Sequence, residues 1–232
     1  MNKFKTISFT LIIFLSSLLL SGCGKKAPKT PAETKNSAPK ELTLTDSDKP
    51  IISLIPRADG HELKLKVDKI PASISQVEYE LIYSAKDNGL EMEKGVGDTV
   101  KLTSNNFEKD LLLGTASCTN GCKYKFDEDV VGGVLSLTFY TNDNQTASFE
   151  TPFTLTTSAD IKKNSGLSLS LENLSITATT TTKNDFFILI KNYRPYYSVF
   201  SSGSGTAKIT KISPETVTKE NTNTLVGDYL IN

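Results

Sequence analysis

The chain has 232 residues, with 26 lysines and arginines, 26 aspartates and glutamates, and one histidine. This balance gives no electrostatic footprint for nucleic acid, so we expect no nucleic-acid partner. The length allows one large domain or two small ones. Trp is absent, whereas Thr, Ser, Asn and Lys are abundant, and this composition is typical of a polar, strand-rich extracellular module.

The first 22 residues predict a secretory signal peptide. Lys3 and Lys5 give a positive start, and residues 7–20 form an apolar run interrupted only by serine and threonine. The run is shorter than the roughly 20 residues that a membrane-spanning helix needs. We therefore expect the mature protein to be exported from the cytoplasm.

The tetrad Leu20-Ser21-Gly22-Cys23 follows this run. It resembles the lipobox of bacterial lipoprotein precursors. The resemblance implies cleavage before Cys23 and attachment of diacylglycerol, with acyl chains such as palmitate, to the Cys23 sulfur. Two acyl chains hold a protein stably, so the resemblance implies a lipid anchor on the outer face of a bacterial cell membrane or outer membrane. The alternative is an ordinary signal peptide with a chance cysteine.

Residues 23–49 contain the lipidated cysteine and a stretch that we predict to be a disordered tether. Pro28, Pro31 and Pro39 oppose regular helix, and few residues in this stretch are large and apolar. A tether of this kind would hold the folded part of the chain above the lipid headgroups.

Residues 50–157 show the period-two alternation of β-strands. In the stretch 62–68, Leu63, Leu65 and Val67 alternate with charged residues, and seven or eight short strands of this kind follow one another. The order of strand 62–68, the loop at Pro71 and strand 76–83 resembles a fibronectin type III module. This resemblance implies an immunoglobulin-like β-sandwich over residues 50–157.

Residues 158–232 predict a second, smaller β region. Its most apolar strand is Phe186-Phe187-Ile188-Leu189-Ile190, and about four other strands surround it. So short a region makes a marginal independent core, so we expect it to pack against the first domain or to be a small companion domain. The predicted fold class is therefore all-β.

Cys118 and Cys122 are predicted to form a disulfide. They flank Thr119-Asn120-Gly121, in which Asn-Gly favours a tight turn, and disulfides persist in exported proteins. A redox pair is one alternative, although redox motifs favour Cys-x-x-Cys. Half of a zinc site is another, although the chain has only His61 to supply an imidazole ligand.

No set of residues in the sequence predicts catalysis, a metal site or a cofactor. His61 lies in a turn without a recognisable nucleophile partner, and no Gly-x-Ser-x-Gly elbow is present. The acidic turns 127–129 and 142–144 could attract calcium, but they lack EF-hand spacing and are more typical of solvated turns.

The best candidate for a binding surface is Tyr193, Arg194, Tyr196 and Tyr197, beside the strand-breaking Pro195. Tyr and Arg are enriched at binding hot spots. We expect Tyr193 and one of Tyr196 and Tyr197 to be exposed, because adjacent residues on a strand point to opposite faces. The alternative is that these side chains are ordinary core.

These observations favour a surface lipoprotein that acts as a non-catalytic binding or envelope-assembly module, with a protein or an envelope polymer as its partner. A lipid-anchored hydrolase is an alternative hypothesis. A solute-binding lipoprotein of a transporter is a third hypothesis, but the chain lacks the alternating βα pattern of such proteins.

Overall fold

The regular structure of the described residues is β-strand throughout, which confirms the predicted all-β class. The computed structural model describes residues 38–87, 89–158, 166–180, 184–203, 207–221 and 224–231. The predicted signal peptide, Cys23 and residues 24–37 of the predicted tether lie outside these ranges. Among the described residues, no helix is long or apolar enough to cross a membrane.

The strands divide into two groups along the chain. The first group is β1 (Lys40–Glu41), β2 (Ile51–Pro56), β3 (Glu62–Asp68), β4 (Ile74–Asp87), β5 (Leu90–Lys101), β6 (Phe107–Leu112), β7 (Gly114–Ser117), β8 (Lys123–Phe126), β9 (Gly132–Thr141) and β10 (Gln145–Thr157). The second group is β11 (Leu167–Leu171), β12 (Leu174–Thr180), β13 (Phe186–Lys191), β14 (Tyr196–Ser201), β15 (Ala207–Ser213), β16 (Val217–Thr218) and β17 (Gly227–Ile231).

One long sheet runs through both groups. Its strand order is β16-β17-β14-β13-β10-β9-β4-β5, and β1 adds to it by pairing in parallel with β10. Three smaller sheets accompany it, with the orders β2-β3-β6, β11-β12-β15 and β7-β8. All pairings except that of β1 are antiparallel, as expected for strands with one buried face.

The first hydrophobic core lies between the sheet β2-β3-β6 and the long sheet. Leu63, Leu65 and Val67 of β3 point into it and are fully buried, as the alternation predicts. Leu135 and Phe139 of β9 enter the same core from the long sheet. Two sheets that bury alternate residues against each other form a β-sandwich.

Strand β13 is buried on both faces. Ile188 and Ile190 belong to the first core, whereas Phe187 and Leu189 belong to a second core formed with β11, β12, β14 and β17. This arrangement explains why 186–190 is the most apolar strand of the folded region, because a strand covered on both faces needs a continuous apolar run.

The two regions that the sequence predicts as separate domains are joined by this sheet. Strand β10, which ends at residue 157, pairs with β13 from Phe153↔Ile190 to Thr157↔Phe186. Residues 39–232 form one compact unit. Strand β13 thus contributes side chains to the cores of both regions.

The ordered structure begins earlier than the sequence predicts. Lys40–Glu41 pairs with Gln145 and Thr146 of β10, and Leu42 and Leu44 pack against the first core. The prediction of a disordered tether is therefore wrong for residues 40–49. The two leucines supply apolar surface that a solvated tether lacks.

A glycine and a proline occupy special positions in the long sheet. Residues 90–101 form one continuous strand. A Cβ at Gly97 would lie 2.6 Å from the backbone oxygen of Tyr79, so glycine permits the close approach of β5 to β4 there. Pro152 lies in an interior strand, but β13 pairs with β10 only from Phe153 onwards, so the proline occupies a local edge.

Candidate functional site

A cleft of about 630 Å³ opens beside the turn between β2 and β3. Its walls come from that turn, from the end of β4, from the segment after β8 and from the start of β13. The lining combines carboxylates, one lysine and apolar side chains, and its main residues are Asp59, His61, Ser84, Lys86, Glu91, Glu128, Asp129, Val131, Leu155 and Phe186.

The β2–β3 turn is fixed by contacts of Asp59 and Gly60. Asp59 Oδ1 accepts hydrogen bonds from Arg57 Nε at 2.9 Å and from the backbone N–H of His61 at 3.0 Å. Gly60 has a φ of +74°, and a Cβ there would lie 2.4 Å from the ring of Phe186. Glycine is therefore required by both the backbone conformation and the contact with the cleft wall.

The Arg57 guanidinium lowers the pKa of Asp59 to about 2, mainly through its hydrogen bond to the carboxylate. The same guanidinium lies 2.8 Å from Glu62 Oε2. The Asp59 carboxylate is thus held ionised at the rim of the cleft at neutral pH.

Exposed aromatic rings stand beside the cleft on strand β8. The rings of His61 and Phe126 stack at a centroid distance of 4.1 Å with an angle of 7°, and Tyr124 lies parallel to Phe126 at 6.0 Å. Tyr124 is 56% exposed and Phe126 is 37% exposed. We call His61, Phe126 and Tyr124 the aromatic row.

The segment after β8 is held by a buried carboxylate. Asp127 accepts a hydrogen bond from Tyr83 Oη at 2.8 Å and forms an ion pair with Lys94. Burial, and then the Asp127 carboxylate, raise the pKa of Tyr83. These contacts tie the 127–131 wall of the cleft to β4 and β5, and Lys86 adds a salt bridge of 2.8 Å to Asp129.

The cysteine pair closes the hairpin that carries Tyr124 and Phe126 of the aromatic row. Cys118 and Cys122 form a disulfide, with their Cα atoms 4.1 Å apart, at the turn between β7 and β8. This is the pairing that the sequence predicts. The disulfide restrains the hairpin of Tyr124 and Phe126, because every residue of β8 is exposed and little packing holds the strand.

His61 has no nucleophile partner among the described contacts. Its ring stacks on Phe126, and its backbone rather than its imidazole binds Asp59. Ser84 lines the same cleft, but no hydrogen bond joins its hydroxyl to His61 in the described part of the chain. In these residues, no three His, Cys, Asp or Glu side chains converge as a metal-binding group.

The structure places Tyr193 inside a packing cluster, contrary to the expectation that it is exposed. Its ring stacks on Phe149 at 4.6 Å and on Phe139 at 6.1 Å, and Lys49 Nζ lies 5.3 Å from its centroid. Burial raises the pKa of the Tyr193 phenol. Tyr193 is thus partly buried and packs against the first core through aromatic residues of β9 and β10.

Arg194 is occupied by the segment that precedes β2. Its Nε donates to the backbone oxygen of Lys49 and its terminal nitrogen donates to that of Ser47, each at 3.0 Å. The guanidinium therefore clamps the end of the region that the sequence assigns to the tether.

Tyr196 and Tyr197 differ in exposure as adjacent strand residues should. Tyr197 is 5% exposed and donates a hydrogen bond to Glu172 at 3.0 Å, whereas Tyr196 is half-buried. Burial, and then Glu172, raise the pKa of Tyr197 to about 12. Of the four residues predicted as a binding surface, Tyr193 and Tyr197 thus pack and Arg194 clamps the preceding segment, whereas Tyr196 stays half-buried.

Sequence reasoning missed Tyr124 and Phe126. The available signal was the alternation Lys123-Tyr124-Lys125-Phe126, which places two large aromatics on one face of a short strand beside a disulfide turn. The turn at His61 and the acids of 127–129 were each noted, but their meeting depends on the tertiary fold.

Comparison with known proteins gives no match to a family model, a curated protein or a solved structure. A functional proposal therefore rests on the residues of the cleft and on the signal peptide that the sequence predicts.

Proposed function

We propose that this protein is an exported bacterial lipoprotein, anchored through diacylglycerol on Cys23, that acts as a non-catalytic binding module of the cell envelope. The lipobox-like tetrad supports the anchor. The disulfide of Cys118 and Cys122 supports an oxidising compartment outside the cytoplasm.

An immunoglobulin-like sandwich belongs to this proposal as its binding scaffold. If the strands are lettered in the order of that fold, β2, β3 and β6 take the A, B and E positions, and β4, β9 and β10 take C, F and G. The strand orders β2-β3-β6 and β4-β9-β10 support this assignment. The hairpin β7–β8 is then an insertion between two strands of the sandwich.

The observation that carries the binding role is the aromatic row beside the carboxylate-lined cleft. Contiguous exposed apolar patches mark interaction sites, and Tyr supplies contact area at low entropic cost. The cleft adds hydrogen-bond acceptors in Asp59, Glu128 and Asp129. Aromatic faces with carboxylate acceptors suit a sugar ring, which presents C–H groups on its faces and hydroxyl donors around its rim.

The ligand class is therefore an envelope glycan. The test uses the full chain with Cys23→Ala, exported without its lipid, and measures co-sedimentation with purified insoluble cell-wall glycan. The double variant Tyr124→Ala/Phe126→Ala should weaken binding by about tenfold or more, as expected when hot-spot residues are truncated.

The matched control is Leu230→Ala/Ile231→Ala, because these two residues are also large, apolar and exposed, at 53% and 44%, but lie on β17. This control should bind like the parent chain. Equal binding by the aromatic variant and its parent, or equal loss in both variants, contradicts the assignment of the cleft.

A further inference from the structure

Strand β5 ends the long sheet and leaves one edge without a strand partner among the described residues. It is 12 residues long and pairs only with β4 in that part of the chain. Most of its residues are exposed. A long exposed edge presents a row of backbone donors and acceptors that can pair with another strand.

The hydrogen bond of Thr99 shows which backbone groups face outwards. The Thr99 N–H donates to the side chain of its neighbour Asp98 at 2.7 Å rather than to β4. The β4–β5 register runs without a bulge from Gln76↔Lys101 to Asp87↔Leu90. Since alternate residues of a strand present their N–H and C=O groups to the same side, the odd-numbered residues of β5 face the open edge.

The same edge carries uncovered apolar side chains. Leu90 is 71% exposed and Met92 is 45% exposed. They lie on the face of β5 that carries Val96 and Val100, which pack partly against the first core. An additional strand at this edge would extend the apolar face and cover Met92.

The sequence of β5 is complementary to itself in one antiparallel register. If two copies meet with Val96 opposite Val96, Met92 lies opposite Val100 and Glu91 lies opposite Lys101. The Met92–Val100 and Glu91–Lys101 contacts each occur twice because the axis is two-fold, so together they contribute two apolar pairs and two opposite-charge pairs. Cross-strand pairs of both kinds stabilise sheets.

The central positions of this register also fit. Gly95 lies opposite Gly97, both odd-numbered, so their outward backbone groups bond across the axis without side-chain obstruction. Lys94, which already pairs with Asp127, lies opposite Asp98 of the other copy. The neighbouring register, with Gly95 opposite Gly95, instead sets Met92 against the charge of Asp98.

We infer that two copies of this protein pair antiparallel through β5 about a two-fold axis at Val96, so that their long sheets continue across the axis. The occupant of the open edge is a second copy of this chain. On pairing, the carbonyl of Glu93 from the second copy replaces the Asp98 side chain as the acceptor for Thr99 N–H.

Cysteine cross-linking of the full chain in bacterial membranes tests this inference. Val96 opposes itself in a non-hydrogen-bonded pair, where Cα atoms lie about 4.5 Å apart and a disulfide can form. Val96→Cys should give a covalent dimer on a non-reducing gel. Met92→Cys, on the same exposed edge, should not, because the two copies of residue 92 lie about 27 Å apart at eight residues' separation.

Gly95 offers a matched pair of variants that act on the edge alone. Its N–H faces outwards. Gly95→Pro therefore removes a donor to the second copy without breaking a hydrogen bond between β4 and β5, whereas Gly95→Ala keeps that donor. A Cβ at Gly95 meets its nearest atom at 3.7 Å, which is ordinary contact. In the Val96→Cys background, Gly95→Pro should abolish the dimer band and Gly95→Ala should retain it.

Four results would overturn the inference. The first three are no dimer from Val96→Cys, equal cross-linking of Met92→Cys, and a dimer that survives Gly95→Pro. The fourth is a Val96→Cys adduct whose mass is not twice that of the chain, which would assign the edge to another protein.

Discussion

The side-chain amide of Asn192 pairs with both backbone polar groups of Ile52, which lies 140 residues earlier in the chain. Asn192 Nδ2 donates to the Ile52 oxygen at 2.8 Å, and Asn192 Oδ1 accepts from the Ile52 nitrogen at 3.4 Å. Both residues are buried, and buried backbone groups need hydrogen-bond partners. At the edge of β2, the Asn192 amide supplies the donor and the acceptor that a residue of a neighbouring strand would otherwise supply.

Asn192→Ala should therefore destabilise the protein by about 1–3 kcal/mol, because it leaves two buried backbone groups without partners. Asn192→Asp should be at least as harmful, because it loses the donor to Ile52 and buries a charge. Denaturant unfolding measures both effects. Asn142→Ala, in the exposed β9–β10 turn, is the control and should change the unfolding free energy by less than about 0.5 kcal/mol. Equal effects at both sites would mean that the Asn192 amide contributes little.

Arg194→Ala should loosen residues 47–49 while leaving β1 and the cores folded. The guanidinium holds the backbone oxygens of Ser47 and Lys49. Hydrogen exchange should accelerate at Lys49 and stay unchanged in β9 and at Leu42, whose N–H donates to the backbone oxygen of Thr146. Arg57→Ala is the control, since its partners lie in the β2–β3 turn. Unchanged exchange in Arg194→Ala would contradict the clamp.

Loss of the disulfide should affect the β7–β8 hairpin more than the whole protein. A disulfide that closes so short a loop contributes about 2 kcal/mol at most. Cys118→Ala/Cys122→Ala should therefore unfold cooperatively with a stability reduced by no more than that amount. In the exported parent chain with Cys23→Ala, a thiol count under denaturing conditions should find no free thiol. Two reactive thiols would contradict the disulfide.

The ion pair of Arg57 and Asp59 predicts a pH dependence. The pKa of Asp59 is lowered to about 2, so this carboxylate contributes stability above its unfolded pKa of about 3.9, and the contribution is lost as the pH falls towards 2. The pair is about half exposed, so its contribution should stay within about 0–1 kcal/mol. An NMR titration should place the Asp59 midpoint near 2, and Arg57→Gln should raise it. An identical midpoint in both proteins would rule out Arg57 as the cause.

Membrane attachment should depend on Cys23. The full chain expressed in a bacterium should fractionate with membranes and carry diacylglycerol on the sulfur of Cys23. Cys23→Ala should remove both properties, whereas Cys118→Ala should keep them. Attachment and N-terminal mass that do not change in Cys23→Ala would exclude the lipoprotein assignment.

The sequence by itself determined the strand content and most core positions, because the period-two alternation is a local property of the chain. Leu63, Leu65 and Val67 could be assigned to a buried face from their spacing alone. The disulfide was equally accessible, since Cys118, Cys122 and the Asn-Gly turn are neighbours in sequence. Residue type was a poorer guide to the binding surface, because an aromatic side chain does not reveal whether a neighbour will cover it.

Only the tertiary structure decided which strands meet. Tyr193 packs partly buried against the core beside Phe139 and Phe149, and Arg194 is occupied by a segment that the sequence assigns to a tether. The cleft also depends on contacts between turns that are far apart in the chain. Such long-range pairings are set by sheet order and register, which alternation leaves open because every strand with one buried face carries the same pattern.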